Sequence, residues 1–441
     1  MAGVEIGAVS VAAILILIWA GMYVPVALML VSFVGVWAIK GNVQIAVQLL
    51  TLAASDSIEN YVFGVIPLFV LMGLLVSAAD LGVEMFQVAN QLFRRLQGGL
   101  GIATVAANAV FAAITGISIA SAAVFTRVAV PEMLRFGYSP RFAVGVVAGS
   151  SVLGMLIPPS LLLIVYALIT EQSVGDMFVA AVIPGLILAA VYCLGIVAMA
   201  RFWPDFVGGP GSARAAAEAI DPPLLGARDM AARVAPTTIL VGLVIGGIYG
   251  GLFTPTEAGA VGALGALILA LAKRRLGARQ FWSVLTETGH ITASICVLVI
   301  AASMYSRMLG LSGVAGTLGE AVAGAGFGLY GLIAIFVLVV LVLGTMIDST
   351  SILLITVPLF LPMLAPFEVN LVWFGVLSVI AVEVGLLTPP MGIAVFVVKS
   401  TLDRDDITLY DIFAGSFPFV LMMLAVLGLI IAFPALSLVL L

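Results

Sequence analysis

Four short segments interrupt an otherwise apolar chain with hydroxyls, glycines and prolines: Thr115 to Ser118, Gly154 to Pro159, Asp348 to Thr350 and Gly385 to Pro390. None offers the nucleophile and base pair, P-loop, dinucleotide fingerprint or grouped metal ligands that enzyme chemistry would need. What they offer is hydroxyls, backbone carbonyls and helix ends. Half-helix N-termini favour anions, and carbonyls exposed at C-terminal ends favour cations. The combination suits a small carboxylate carried together with sodium. The expected sodium ligands are Thr115, Gly116, Ile117, Gly154, Ile157 and Pro159 in one half, and Asp348, Ser349, Gly385, Thr388 and Pro390 in the other. The expected substrate contacts are Ser118, Ser121, Arg127, Ser349, Thr350 and Thr388. The competing assignment is structural, because small hydroxyls in membranes also cap helices and hydrogen-bond between them.

Single ionisable residues sharpen the choice. Asp348 lies between apolar arms, where an acid is costly without a partner or a bound cation, so cation coupling is the expected role. Arg127 could meet a substrate carboxylate, or its guanidinium could snorkel toward the surface near Arg135. Glu257, in GLFTPTEAG, reads as an acid in the first turn of a helix. Glu383 precedes the second proline pair, as a buried partner or a coupling group. His290 is the only histidine, so no histidine-based metal site is available. Cys193 and Cys296 sit in apolar runs and read as packing residues rather than a disulfide framework.

The elements that must hold these residues belong to a membrane. Of 441 residues, 63% are hydrophobic and 9% charged, and the mean hydropathy is +1.30, far from a water-soluble domain. Apolar runs long enough to cross a bilayer, about 20 residues, fill the chain, among them 8–39, 61–79, 176–200, 236–272, 284–302, 332–347 and 416–440. The net charge of −5 is dispersed over short loops, with no patch for nucleic acid. No basic region precedes the first apolar run, so no cleaved signal peptide is read. Whether 4–39 crosses once or twice around Pro25 is open from sequence, and with it the side of the N-terminus.

One spacing recurs. Pro131 and Pro362, Pro158 and Pro389, Pro159 and Pro390, Gly154 and Gly385, Ser118 and Ser349, and Gly82 and Gly313 are each 231 residues apart. The reading is an all-α polytopic membrane protein of two structural repeats, 1–200 and 234–441, joined by a Gly-, Pro- and Ala-rich cytoplasmic linker at 201–233. Each repeat is expected to hold a re-entrant hairpin of short arms (about 99–135 and 328–365) followed by a broken helix (about 140–171 and 371–400). The second hairpin is expected to fold at MIDSTS, and proline is expected to break both helices. Paired interruptions in two halves point to a transporter's binding site. Arg94, Arg95, Arg135 and Arg141 flank the first hairpin, whereas no basic residue occurs between Arg307 and Lys399. By the preference of basic loops for the cytoplasm, the two hairpins open to opposite sides, so the repeats are inverted.

The motifs ITGISIASAAVFTRVAVPEML, GSSVLGMLIPPS, GLFTPTEAGAVGAL, GTMIDSTSILLITVPLFLP and GLLTPPMGIAVF together resemble the large membrane subunit of tripartite ATP-independent periplasmic (TRAP) transporters across essentially the whole chain. Ile117 and Arg127 stand where that family commonly has small residues. The resemblance implies an elevator-type, sodium-driven importer of small organic acids in the bacterial inner membrane. It also implies two separate partners, a small four-helix membrane subunit and a soluble periplasmic substrate-binding protein, and no organic cofactor. Sodium would be held largely by backbone carbonyls at the hairpin tips and helix breaks. The alternatives are a stand-alone sodium/dicarboxylate symporter and, from another class, an intramembrane enzyme using Asp348 and Glu383 as an acid pair.

Overall fold

The computed structural model describes residues 3–59, 61–208, 225–324, 328–402 and 404–441, and all regular structure among them is helical. Backbone groups in lipid must find partners within their own segment, which leaves helices as the economical way for so apolar a chain to span. Among the described residues six helices are long and apolar enough to cross a membrane, and two bent pairs qualify if each is taken as one span. The first apolar run forms two helices, Gly3–Trp19 and Val24–Lys40, with Pro25 in the first turn of the second. There its missing N–H costs nothing. The sequence segment read as a linker is only partly described: helix Val174–Phe202 runs into it and helix Ala227–Tyr249 begins inside it, while 209–224 lies outside the described residues.

The recurring spacing extends from residues to helix boundaries. The arms Gly99–Thr115 and Ser118–Arg135 are followed by the bent pair Pro140–Leu156 and Leu161–Thr170. The later arms Gly328–Gly344 and Ser349–Leu364 are followed by Leu371–Leu386 and Ile393–Thr401. Ser118 and Ser349 each open a second arm, and Pro140 and Leu371 each open a broken helix, in both cases 231 residues apart. Val24 and Pro255 open helices at the same spacing.

At about 1.5 Å per residue, arms of 17 and 18 residues extend about 25 Å. Pro131, Pro358 and Pro362 stay inside their helices, because neighbouring helices and local adjustments can satisfy freed backbone groups in membrane proteins. The fold point of the second hairpin lies earlier than expected, at Thr345–Asp348, with Ser349 to Ser351 already helical.

The two halves interlock. Ile393–Thr401 of the later broken helix packs on Ser118–Arg135 of the earlier hairpin, and Leu161–Thr170 packs on Ser349–Leu364. Pro140–Ser151 lies along Leu409–Ala432, with Gly145 and Gly415 backbone to backbone. Tyr166, fully buried, donates its hydroxyl to the carbonyl of Leu371 at 2.7 Å. Both hairpins and both breaks thus share one core.

Candidate functional site

The first tip is a two-residue reversal. Gly116 takes a left-handed conformation (φ 62°) and Ile117 is extended; the left-handed region is open to glycine without a Cβ penalty. Gly116 also sits so close to the break that a Cβ there would lie 2.6 Å from the carbonyl oxygen of Pro159. Its own carbonyl accepts the N–H of Leu161 at 3.2 Å. Gly154 faces the same tip, where an added Cβ would stand 3.1 Å from the carbonyl carbon of Ile117. Glycines at 116 and 154 therefore let tip and break meet by their backbones. Ile157 and Pro159 complete the break, with an extended Ile157 and a cis Pro158–Pro159 bond.

Side chains around this tip divide. Thr115 donates to Phe111 O within its own helix at 3.1 Å. Ser121 donates to Asn108 Oδ1 at 2.6 Å, and Asn108 Nδ2 donates to Ser150 Oγ at 2.5 Å. All three are buried, so this network fastens the two hairpin arms to the broken helix and occupies Ser121. Ser118 is 1% exposed and its hydroxyl has no partner among the described residues. Ser160 caps Leu161–Thr170, accepting from Leu163 N and donating to Met155 O. Arg127 is not at the tip. It lies nine residues along the second arm from Ser118, about 13 Å at the helical rise, on an exposed face.

The second tip repeats the plan with different chemistry. Met391 N donates to Thr345 O at 3.2 Å, tying break to tip as Leu161 does in the first half. Asp348 is the N-cap of Ser349–Leu364: Oδ2 accepts from Ser351 N at 3.0 Å and Oδ1 from Ser351 Oγ at 2.5 Å. Both oxygens of the residue expected to hold a cation already bind the helix end. Glu383 contrasts with it. It is 2% exposed, Oε1 accepts from Ser349 Oγ at 3.4 Å, and Oε2 has no partner among the described residues. The fully buried Tyr192 hydroxyl also has no partner among the described residues. Thr388 bonds back to Val384 O at 2.8 Å, and Thr350 is half-buried in the first helical turn.

The two breaks differ in access. Pro158, Pro159 and Ser160 are buried, whereas Pro389, Pro390 and Met391 are exposed, with a cis Pro389–Pro390 bond. Outside these sites, Glu257 closes a capping box with Thr254. Cys193 and Cys296 are free thiols. Among the described residues no cluster of three or more His, Cys, Asp or Glu forms. Asn108 and Ser150 were not among the sequence candidates, since one amide in an apolar run carries no spacing signal.

This architecture defines a polytopic helical membrane protein of the transporter class. The chain belongs to the family described as "Tripartite ATP-independent periplasmic transporter, DctM component", which matches residues 11–436. It is 31% identical over 413 residues to the C4-dicarboxylate TRAP transporter large permease protein DctM of Rhodobacter capsulatus, covering 90% of each chain. It is 29% identical over 388 residues to the sialic acid TRAP transporter large permease protein SiaM of Vibrio cholerae, covering 87% of each. Its fold is similar to the crystal structure of the Alcanivorax borkumensis YdaH transporter, with a TM-score of 0.59 at 15% identity over 89% of this chain and 90% of that one. Its relatives are named transporter permeases, which points to transport rather than enzymatic turnover.

Proposed function

We propose that the chain is the sodium-coupled large subunit of an importer of small organic acids in the bacterial inner membrane, receiving substrate from a periplasmic binding protein and working beside a small membrane subunit. The observation that carries this reading is the meeting of hairpin tip and helix break by backbone hydrogen bonds in both halves. Such unwound backbone is tolerated at membrane depth where it is buried or lines a cavity, and it leaves carbonyls able to hold a hard monovalent cation. In the first half the sodium site is drawn from the carbonyls of Thr115, Gly116, Ile117, Ile157 and Pro159, with Gly154 providing room and the unpartnered Ser118 hydroxyl facing either ion or substrate. In the second half Ser349, Gly385, Thr388 and Pro390 contribute. Glu383 is a better source of negative charge there than Asp348, whose oxygens cap a helix.

Substrate carboxylate is assigned to Ser118, Ser349 and Thr350, near the N-terminal ends of second arms, where helix dipoles favour anions. Transport then proceeds by an elevator movement of the interlocked hairpins and breaks. The relatives' named cargoes, C4-dicarboxylate and sialic acid, support an organic carboxylate as the class. The test is uptake of radiolabelled dicarboxylates and sugar acids by proteoliposomes holding all three components. Accumulation that requires an inward sodium gradient and the binding protein is expected. Accumulation without the binding protein would replace this reading by a stand-alone symporter, and uptake indifferent to sodium would remove the coupling.

A further inference from the structure

A cleft of about 570 Å³ opens along the second arm of the first hairpin, away from its tip, against the chain that follows Ile393–Thr401. Three guanidiniums line it, those of Arg127, Arg135 and Arg404, and Val130, Leu134 and Leu402 form its apolar wall. Two of the cations have carboxylate neighbours: Glu132 stands 3.8 Å from Arg135, and Asp406 holds Arg404 through two hydrogen bonds of 2.9 and 2.7 Å. Arg127 has no hydrogen bond or ion pair among the described residues. Asp405 is in the same loop but does not line the cleft. Nearby, Arg141 pairs with Asp411 at 2.8 Å, and Lys399 donates to the carbonyls of Arg404 and Ile407. This end of the molecule is the one that the arginines around the first hairpin assign to the cytoplasm.

We propose that this cleft binds the headgroup of an acidic phospholipid, with Arg127 as the principal contact to its phosphate. The guanidinium fork matches phosphate oxygens and is only weakly hydrated. Arg127 is exposed two helical turns from Arg135, within snorkelling reach of the interface that the arginines mark. The neighbouring apolar wall suits acyl chain rather than a free, fully hydrated anion. Basic pockets between helices on the cytoplasmic side bind acidic headgroups on these grounds. The site is independent of the ion and cargo proposed above, and it removes Arg127 from the substrate contacts.

The experiment compares purified wild-type transporter with Arg127→Gln in nanodiscs of phosphatidylcholine alone and with added phosphatidylglycerol, reading thermal unfolding and, by native mass spectrometry, retained lipid. Wild type should retain phosphatidylglycerol over phosphatidylcholine and unfold at a higher temperature with it. Arg127→Gln should bind it about fivefold more weakly, equivalent to ~1 kcal/mol per basic residue near the surface. Equal retention of both lipids by wild type, or an undiminished preference in Arg127→Gln, would overturn the proposal. Soluble inorganic phosphate forms a separate arm, and protection by phosphate alone to the same extent would replace a lipid site by a free-anion site. If Arg127→Gln does not fold, the wild-type lipid preference and its reduction in Arg127→Lys, which keeps charge but loses the fork, still decide the matter.

Discussion

Gly344 and Gly385 meet backbone to backbone where the second hairpin crosses its broken helix. A Cβ on Gly344 would lie 2.6 Å from the Cα of Gly385, and one on Gly385 would lie 2.7 Å from the Cα of Gly344. Neither neighbour is the flexible end of a side chain, so a methyl group can be accommodated only by moving one helix. Gly344→Ala and Gly385→Ala should each destabilise the protein by about 1–3 kcal/mol, the range for overpacking a filled core. Thermal unfolding in detergent checks this. Unfolding temperatures equal to wild type in both variants would show that the crossing is looser than its geometry states.

The Ser121–Asn108–Ser150 network predicts a second sensitivity. Asn108→Ala would strip the partner from two buried hydroxyls at once, and the cost of orphaning buried polar groups is about 1–3 kcal/mol each. Ser121→Ala should cost less, since it strands one acceptor, Asn108 Oδ1, rather than two hydroxyls. Chemical unfolding of the two variants orders them: Asn108→Ala below Ser121→Ala below wild type. The reverse order would mean that the hydroxyls find other partners.

Much of this arrangement was legible in the chain. Repeated Pro-Pro pairs gave the breaks because proline removes backbone donors, whereas the close backbone approaches at Gly154 and Gly385 emerge only in the folded chain. The 231-residue spacing seen at a few glycines and prolines proved to mark helix starts at Ser118 and Ser349. Single prolines at 131, 358 and 362 stay inside helices held by their neighbours, and nothing local to the sequence distinguishes them from the prolines that break helices. Asp348 could have been read as a cap from the Asp-Ser-Thr-Ser sequence, where an N-cap acid precedes a hydroxyl three residues on. Its position between apolar arms pointed instead to ion binding. The pairing of Glu383 with Ser349 joins residues 34 apart, and only the folded crossing of hairpin and broken helix brings them together.

Glu383→Gln tests the buried carboxylate. Glutamine keeps an oxygen for Ser349 and the same shape, while removing the charge that a coupling cation would need. Under the sodium reading, the variant should remain folded, lose most of the sodium-dependent rise in unfolding temperature and lose sodium-driven uptake. Full retention of sodium stabilisation would place the second cation away from Glu383.

Asp348 allows cap and cation ligand to be separated, because asparagine caps helices as well as aspartate does whereas alanine costs about 1 kcal/mol at such a position. If Asp348 acts through its hydrogen bonds to Ser351, Asp348→Asn should match wild type in stability without sodium, and Asp348→Ala should fall below both. The sodium increment should then be the same in all three proteins. A ligand that binds only the folded state adds about 2.7 kcal/mol at 100 times its dissociation constant, so its loss is readily measured by unfolding in sodium against potassium or choline at equal ionic strength. An Asp348→Asn protein that is stable but blind to sodium would return the carboxylate to the ion site.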